Sequence, residues 1–281
     1  MPLKAILTMK TLTTSLRSLS LRSLALRSLA LRSLGLLALG LLGLAAAAPK
    51  AQAQLTAVSK SQREIIILQA EMGDDFFYNF LEQQGVAMAV SKFTPVYNRV
   101  RVLSGANATL TGLKNELAAA TSIGSVKAVD LLFMTHGDDE AMKFTNAWKS
   151  TWQVRDFLMN NISDAQRAKF RMVFSTACFS GSHRNQWLQA GFKCASGSVG
   201  IYADSNGSFD PFLNSWSTGK SFTQSVSDAN FWGLVGCGDA AARTFYTVTF
   251  QFDYANAVNS HRTPLYSSVP ATSLSISLMT L

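Results

Sequence analysis

The sequence predicts an α/β fold: a doubly wound, mainly parallel sheet with helices on both faces. Two long apolar runs, at residues 128–137 and 171–181, carry this prediction, because strands buried on both faces of a parallel sheet are continuously hydrophobic. Segments with helical patterns flank each run, and this alternation is typical of parallel sheets. The runs contain His136 and Cys178 near their ends. Because such sheets bind ligands at the edge where their strands end, we expect the functional site there.

The first 53 residues predict a signal peptide. They contain seven basic residues and no acidic one. The apolar stretch Leu34–Leu44 is followed by small residues up to Ala53, which is the order of a cleavable secretory leader. We place cleavage after Ala53, with Ala48 as the second choice. An uncleaved membrane anchor is the alternative interpretation, but the apolar stretch is short for a bilayer span.

Within the leader, the pentapeptide Leu-Arg-Ser-Leu-Xaa occurs four times, starting at Leu16, Leu21, Leu26 and Leu31. A basic amphipathic membrane helix is one interpretation of these repeats. A five-residue period does not keep the arginines on one helical face, however. We therefore interpret the repeats as an expanded basic region of the signal peptide.

Cleavage of the leader removes most of the positive charge. The full chain of 281 residues carries a net charge of +8 from 25 basic and 17 acidic residues. Without the seven basic residues of the leader, 18 basic residues face 17 acidic ones, a net charge of +1. This balance gives no argument for nucleic acid or an anionic membrane as a partner. The remaining 228 residues fit one α/β domain at 54–255, followed by an unassigned tail at 256–281.

The elements of this domain are predicted from the period of their apolar residues and from their turn residues. Besides the two apolar runs, strands are expected at Glu64–Gln69, Arg99–Leu103 and Ser198–Ala203, and a half-exposed edge strand at Thr244–Phe252. Helices are expected at 73–85, 107–117, 154–162, 163–169 and 181–191. The charged and aromatic segment 138–152 is expected to form a small hairpin over the site.

The chain has three cysteines, Cys178, Cys194 and Cys237. In an exported chain, an odd number of cysteines indicates one disulfide and one unpaired thiol. If Cys178 is the unpaired one, a bridge between Cys194 and Cys237 is the only intramolecular pairing. The alternative is that all three are small buried hydrophobic residues.

The ends of the two apolar runs offer an imidazole and a thiol. Neighbouring parallel strands lie about 5 Å apart, so residues just beyond their ends can meet if the strands are adjacent. An imidazole next to a thiol can take its proton, and the thiolate is the attacking species. We therefore expect His136 to act as general acid and base, and Cys178 as the nucleophile. The backbone N–H groups of Gly137 and Cys178 are candidate donors to an oxyanion.

The residues around this pair resemble the caspase-like cysteine peptidases of clan CD. The first run ends Leu-Leu-Phe-Met-Thr-His136-Gly, and the second ends Val-Phe-Ser-Thr-Ala-Cys178-Phe-Ser-Gly. The Cys-x-Ser-Gly continuation is similar to metacaspases and CHAT-type domains, and the order of elements matches over residues 64–240. The resemblance implies a caspase-like fold and a cysteine endopeptidase that cleaves a protein or peptide substrate through an acyl-enzyme intermediate. It implies no metal or cofactor.

The sequence departs from the family where substrate specificity is determined. Metacaspases carry an acid two residues before the cysteine, whereas Thr176 stands there in this chain, so basic specificity cannot be transferred from that position. Asp204 occupies a place comparable to the acid that lines the S1 pocket of legumain-like and clostripain-like members. The resemblance therefore makes Asp204 a candidate for substrate binding. The alternative is that Asp204–Gly207 form a turn, because Asp, Asn and Gly are turn formers.

The other histidines and acids are weaker candidates. His183, five residues after Cys178 on a predicted helix, is expected at the surface, with contact to the site as the alternative. His261 is expected in solvent. The histidines and cysteines lack the paired spacing of a zinc site, so no metal is expected. The acidic residues 138–140 are candidates for binding calcium or a basic substrate, but a charged segment after a strand is usually a solvated loop.

The sequence thus predicts a secreted or periplasmic cysteine endopeptidase, with no nucleic-acid partner and no stable membrane anchor after signal cleavage. A catalytically silent caspase-like binding or structural protein is the alternative, because a fold does not guarantee a function. A flavodoxin-like or hydrolase domain with an unrelated site is a third possibility, but the chain lacks a Gly-rich phosphate loop and a Gly-x-Ser-x-Gly motif. The sequence makes no prediction of the oligomeric state.

Overall fold

The computed structural model describes residues 55–70, 76–200, 205–231, 265–268 and 274–280. The strands within these residues are β1 (Leu55–Ala57), β2 (Arg63–Gln69), β3 (Arg99–Ser104), β4 (Ala128–Met134), β5 (Gly137–Asp138), β6 (Ala141–Phe144), β7 (Ala147–Ser150), β8 (Phe170–Ser175), β9 (Cys194–Ser198), β10 (Leu265–Ser268) and β11 (Leu278–Thr280). The α-helices are α1 (Phe76–Phe93), α2 (Leu110–Ser122), α3 (Thr151–Asn161), α4 (Asp164–Arg167), α5 (Arg184–Gln189), α6 (Ser205–Ser217) and α7 (Phe222–Phe231). The predicted leader at 1–53 lies outside the described residues.

Six strands form the main sheet, in the order β10, β9, β8, β4, β2, β3. The strands from β9 to β3 are parallel to their neighbours, and β10 is antiparallel to β9. Since β3 lies on one side of β2 and the later strands lie on the other, the direction of winding reverses at β2. The predicted α/β class, with a doubly wound and mainly parallel sheet, is confirmed.

Helices cover both faces of this sheet. One face packs against α2, α3 and α5, which contribute buried residues such as Leu113, Leu158 and Trp187. The other face packs against α1, α6 and α7, with Phe93 and Trp216 among the buried residues. Successive residues of the central strands contact opposite faces, and both faces are covered. This explains why the strands are continuously apolar in the sequence. No helix within the described residues is long and apolar enough to cross a membrane.

Polar caps define the starts of three helices. Thr109 caps α2 through its side chain. Ser150 and Gln153 form a capping box at α3, and Ser163 and Gln166 form another at α4. Each box satisfies two backbone N–H groups that the first helical turn leaves without a partner. The predicted serine at the start of the helix at 163–169 is confirmed.

The first helix is longer than the sequence predicts. The expected end at Gly85 is wrong, because α1 continues to Phe93. A glycine ends a helix by adopting a positive φ, and Gly85 is not among the residues that do so. Instead it is buried within the helix. Ala89 and Phe93, both fully buried, extend the apolar face beyond it.

The fifth strand of the main sheet lies earlier than predicted. The expected strand at Ser198–Ala203 is wrong at residues 199–200, which form a bend after β9 ends at Ser198, and residues 201–203 lie outside the described residues. The sequence of β9 is Cys-Ala-Ser-Gly-Ser, and all five residues are buried. Small and polar residues give no hydrophobic signal, although they fit a strand in close contact with a loop. The apolar residues further along produced the wrong prediction.

The antiparallel edge strand lies in the tail that the sequence leaves unassigned. It is β10, which pairs Leu265 with Ser198 and Ser268 with Ala195. The edge strand predicted at Thr244–Phe252 lies outside the described residues.

A buried ion pair lies near the amino ends of the central strands. Asp130 on β4 and Arg171 on β8 are fully buried, and Nε of Arg171 donates to Oδ1 of Asp130 at 2.9 Å. The hydroxyl of Tyr97 donates to the same carboxylate at 2.5 Å, and Nε1 of Trp216 donates to that hydroxyl at 2.8 Å. Burial alone would lower the pKa of Arg171, but the charge and hydrogen bonds of Asp130 raise it above its usual value. Arg171 therefore remains a cation.

The same end of the sheet binds the last described segment of the chain. Nη1 of Arg171 donates to the carbonyl oxygen of Ile276 at 2.5 Å, and Nη1 of Arg63 donates to it at 2.7 Å. The N–H of Val58 donates to the carbonyl oxygen of Ser277 at 2.9 Å. Beside these bonds, β1 pairs antiparallel with β11. Buried guanidinium groups thus fasten the end of the chain to the amino edge.

Candidate active site

The two apolar runs that carry the predicted site form adjacent strands, β4 and β8. Phe133 and Ser175 are paired across them, and the N–H of Thr176 donates to the carbonyl oxygen of Phe133 at 3.0 Å. His136 and Cys178 each follow this pair by three residues in their own segments. Both residues therefore leave the carboxyl edge side by side. The predicted meeting of His136 and Cys178 requires β4 and β8 to be adjacent, and this condition is met.

The residue after His136 contacts the segment that carries Cys178. A Cβ at Gly137 would collide with the carbonyl oxygen of Cys178 and lie 2.9 Å from the Cβ of Ala177. Only glycine fits at this close approach. His136 and Cys178 are both half-buried. The glycine thus allows the backbones beside the imidazole and the thiol to touch.

Two buried serines hold the loop that follows Cys178. The hydroxyl of Ser180 donates to the carbonyl oxygen of Ala177 at 2.5 Å and accepts the N–H of Ser198 at 3.0 Å. The hydroxyl of Ser198 lies 3.0 Å from the same carbonyl oxygen. Both serines are buried. The serine of the Cys-x-Ser-Gly motif therefore fastens the Cys178 loop to the end of β9.

Close packing and backbone strain fix this loop further. A Cβ at Gly197 would overlap the backbone of Ser180. Phe179 has a φ of 53°, in the left-handed region that residues with side chains rarely adopt. Its N–H donates to the carbonyl oxygen of Gly200 at 2.8 Å. Strain of this kind persists only where the surroundings fix the backbone, and it is concentrated at functional sites.

A small antiparallel sheet of β5, β6 and β7 follows His136. The predicted hairpin at 138–152 is confirmed by this sheet. The N–H of Lys143 donates to the carbonyl oxygen of His136 at 2.9 Å. This bond makes Gly137 and Met142 a non-hydrogen-bonded pair of the antiparallel ladder. The N–H of Gly137 therefore points away from β6.

Of the acidic residues 138–140, Asp138 ends β5, and Asp139 and Glu140 form the exposed turn to β6. Glu140 has a φ of 56°. Its N–H donates to the hydroxyl of Ser182 at 3.0 Å, and its carbonyl oxygen accepts the N–H of Thr151 at 2.8 Å. Within the part of the chain that the structure describes, no group of three or more His, Cys, Asp or Glu side chains is placed to hold a metal ion.

His183 is buried, and the prediction that it lies at the surface is wrong. The helix begins one residue later, at Arg184, and the hairpin covers the imidazole. Its Nε2 lies 2.8 Å from the carbonyl oxygen of Asp138, and its Nδ1 has no hydrogen-bond partner among the described residues. Burial lowers the pKa of His183, although the hairpin backbone and the charge of Asp139 oppose this shift.

The two described cysteines lie in different environments. Cys178 is half-buried at the carboxyl edge, whereas Cys194 is a free thiol buried in β9. Burial raises the pKa of the Cys194 thiol, whose Sγ lies 3.5 Å from the carbonyl oxygen of Arg171. The thiolate form is therefore disfavoured at Cys194. Cys237 lies outside the described residues, and Cys194 is a free thiol, so the structure gives no support to the predicted bridge between Cys194 and Cys237.

Among solved structures, the chain is similar to a caspase. One of the matches is the Drosophila initiator caspase Dronc, with a TM-score of 0.45 and 8% sequence identity, and it covers 65% of this chain and 78% of that chain. No protein-family model and no curated protein matches the sequence. At this level of similarity, only the contacts of the site itself support a functional interpretation.

The structure does not test the predicted pocket residue. Asp204 and His261 are outside the described residues, so the assignment of Asp204 to a substrate pocket stays a prediction. Residues 205–207 form the start of α6, so the alternative of a turn at Asp204–Gly207 is wrong for these three positions. A second helix on this side of the chain, α7, follows α6 after Gly219.

A buried carboxylate in α1 is absent from the sequence prediction. Glu82 is 9% exposed, and its Oε2 has no hydrogen-bond partner among the described residues. Burial raises the pKa of Glu82 to about 7. Other residues of the same helix line a cleft of about 430 Å³ beside β2 and β3, namely Asn79, Gln83 and Val86. The sequence contains one signal for the burial of Glu82: it lies seven residues before the apolar Ala89, which places both on one helical face.

Proposed function

We propose that this protein is a cysteine endopeptidase in which His136 and Cys178 form the catalytic dyad. The observation that carries the proposal is the close approach of Gly137 to the carbonyl oxygen of Cys178. It brings the segment with the imidazole against the segment with the thiol, at the edge where α/β sheets bind ligands. An activated cysteine nucleophile requires an imidazole within hydrogen-bond reach of its thiol, and the contact between the two segments supports this arrangement.

In the proposed reaction, His136 accepts the thiol proton of Cys178 and the sulfur attacks the carbonyl carbon of a peptide bond. Collapse of the tetrahedral intermediate breaks the C–N bond, and His136 donates the proton to the leaving amine. Cys178 then holds the acyl group as a thioester. Water, with His136 as general base, hydrolyses the thioester, which releases the acid and restores the thiol.

The backbone N–H groups of Gly137 and Cys178 are the proposed donors to the oxyanion. The hairpin register supports this role for Gly137, because its N–H points away from β6. Donors held on a rigid backbone stabilise the developing charge without having to reorganise. The serines that fasten the Cys178 loop to β9 provide this rigidity on the other side of the site.

The proposed substrate is a protein or peptide. Thr176, at the position where metacaspases carry an acid, is buried. We therefore propose that selection of the residue before the scissile bond involves Asp204, which directly precedes α6 in the sequence. A positional-scanning peptide library, compared between the wild type and Asp204→Asn, tests this assignment. An unchanged preference in the variant contradicts it.

We also propose that the enzyme acts outside the cytosol, as a secreted or periplasmic protein. The basic, apolar and small-residue order of the first 53 residues supports this. Cleavage after Ala53 would leave a mature chain that begins directly before β1. Mass spectrometry of the exported protein identifies the new amino terminus, and an intact leader on the exported chain contradicts the proposal.

The dyad is tested by alkylation of the mature protein with iodoacetamide at about pH 6.5, where an ordinary thiol is only about 1% ionised. We expect the wild type to be labelled at Cys178, and His136→Ala to be labelled about a hundredfold more slowly. Peptide mapping by mass spectrometry assigns the label to each cysteine. Cys194→Ala is the matched control, and it should leave the rate at Cys178 unchanged.

Equal labelling of Cys178 in the wild type and in His136→Ala would contradict the dyad. Cleavage is measured separately, with the peptide library and with Cys178→Ala as the blank. A labelled dyad that cleaves no peptide would instead favour the catalytically silent binding protein.

A further inference from the structure

A buried imidazole joins the two segments that carry the proposed dyad. His183 follows the Cys178 loop, and its Nε2 lies 2.8 Å from the carbonyl oxygen of Asp138 in the hairpin that follows His136. Its Cε1 lies 3.2 Å from the position that a Cβ of Gly137 would occupy. The ring therefore contacts both the residue after His136 and the turn of the hairpin.

The neighbouring residue makes a second link between the same segments. The hydroxyl of Ser182 accepts the N–H of Glu140 at 3.0 Å and donates to the carbonyl oxygen of Phe179 at 2.9 Å. Glu140 and Phe179 are the two residues with side chains that have a positive φ within the described part of the chain. Ser182 thus bridges two strained positions, one in each segment. Strained residues keep their conformation only when neighbouring contacts hold them.

We propose that His183 is a positioning residue, whose imidazole holds the β5–β6 turn against the Cys178 loop and thereby sets the separation of His136 and Cys178. The inference rests on the proposed function, because a defined separation matters only if the two residues act together. It assigns a role to a histidine that the predicted mechanism does not use.

The environment of the ring fits a structural donor rather than a proton carrier. The partner of Nε2 is a carbonyl oxygen, which can only accept, so Nε2 carries the hydrogen. Nδ1 then has no hydrogen and is buried without a partner among the described residues. Burial lowers the pKa of His183, so the ring is neutral at pH 7. A neutral ring keeps the same hydrogen bond throughout a catalytic cycle.

Two substitutions distinguish the effect of losing the His183 hydrogen bond from the effect of changing the volume of its side chain. His183→Leu fills the space without a donor, whereas His183→Gln retains an N–H donor near the position of Nε2. We expect iodoacetamide labelling of Cys178 at about pH 6.5 to fall at least tenfold in His183→Leu, because small displacements of paired catalytic groups cost this much or more. His183→Gln should recover most of the wild-type rate. The pH profile of labelling in His183→Leu should move toward that of an ordinary thiol.

Hydrogen exchange of the Glu140 amide reports on the hairpin independently of any reactivity. We expect faster exchange in His183→Leu than in the wild type and in His183→Gln. Leu158→Ala, a core substitution in α3, is the control for general loss of stability, and it should leave the pH profile of Cys178 labelling unchanged.

Wild-type exchange at Glu140 in His183→Leu overturns the proposal. So does wild-type labelling of Cys178 in a variant whose hairpin has loosened. If His183→Leu does not fold, His183→Asn decides, since its shorter side chain cannot place an N–H donor at the position of Nε2: wild-type exchange and labelling in that variant overturn the proposal. Failure of the dyad itself is recognised separately, by equal labelling in His136→Ala and the wild type.

Discussion

The amino and carboxyl edges of the main sheet are held by different kinds of contact. At the amino edge, long charged side chains reach buried acceptors, as in the pair of Arg171 with Asp130 and the bond from Arg63 to the carbonyl oxygen of Ile276. At the carboxyl edge, glycines and serines allow backbone segments to touch, as Gly137 does at Cys178. Charged side chains stabilise the amino edge, whereas close backbone packing at glycines and hydrogen bonds from serines stabilise the carboxyl edge.

We therefore expect mutations at the amino edge to change the free energy of unfolding, and mutations at the carboxyl edge to change the reactivity of Cys178. Loss of a charge at the amino edge leaves its partner buried and lowers the free energy of unfolding. An added methyl group at the carboxyl edge displaces the segments that carry His136 and Cys178. Asp130 and His136 are six residues apart along β4 and its extension, about 20 Å at the rise of a strand. Effects at such a distance are expected to be independent.

The largest expected effect is on stability, from Asp130→Asn. It removes the carboxylate that pairs with Arg171 and accepts from Tyr97, and we expect the free energy of unfolding to fall by about 3–5 kcal/mol. Denaturant titration measures this loss. The control Asp164→Asn, which removes an ion pair with an exposed carboxylate, should change stability by less than about 1 kcal/mol. The folded fraction of Asp130→Asn should label at Cys178 at the wild-type rate, and a slower rate would mean that the edges are coupled.

The second effect is on reactivity, from Gly137→Ala. The new Cβ would collide with the carbonyl oxygen of Cys178, so one of the two segments must move. We expect labelling of Cys178 at about pH 6.5 to fall about a hundredfold, in line with misplacement of reacting groups by about 1 Å. Gly124→Ala is the matched control, because a Cβ at Gly124 meets no atom within 4 Å. Wild-type labelling in Gly137→Ala would show that the close approach is unimportant.

The smallest effect concerns Glu82, a carboxylate that, unlike Asp130, has no ion pair with a cation of the described residues. The pKa of Glu82 in the folded protein is about 7, above the ordinary value of 4.5, so the folded state binds more protons than the unfolded state between these values. Stability should therefore fall as the pH rises from about 5 to 8, by about 2 kcal/mol. Glu82→Gln should remove most of this slope in denaturant titrations. Glu140→Gln, at an exposed turn, should keep the wild-type slope, and a wild-type slope in Glu82→Gln would exclude Glu82 as its cause.

The sequence was sufficient for the central strands and for the position of the candidate site. Strands β4 and β8 are covered on both faces, so their sequences are continuously apolar and their ends can be located. The adjacency that brings His136 and Cys178 together could only be assumed, because strand order is decided by contacts between distant segments. The buried pair had a visible signal, since Asp130 and Arg171 are lone charges of opposite sign in the two apolar runs.

The remaining features depend on tertiary contacts that have no local signal. Strand β9 is made of small residues because Gly197 packs against Ser180, and a hydrophobic pattern cannot show this. His183 is buried because the hairpin covers it, although the helix that follows it is short. Gly85 predicted the end of α1 because glycine often ends helices, but the helix continues past it and buries Ala89 and Phe93. Each error lies where packing between segments outweighs the local pattern.

The pairing of β1 with β11 has a consequence for how the chain can be rewired. Leu55 lies opposite Thr280, so the first and last described strands leave the domain side by side. A short linker could join them into a circle, and new termini could be opened in an exposed loop such as residues 124–125. Such a circular permutant would retain every strand pairing of the sheet. The arrangement of the elements in the domain therefore does not require their present order along the chain.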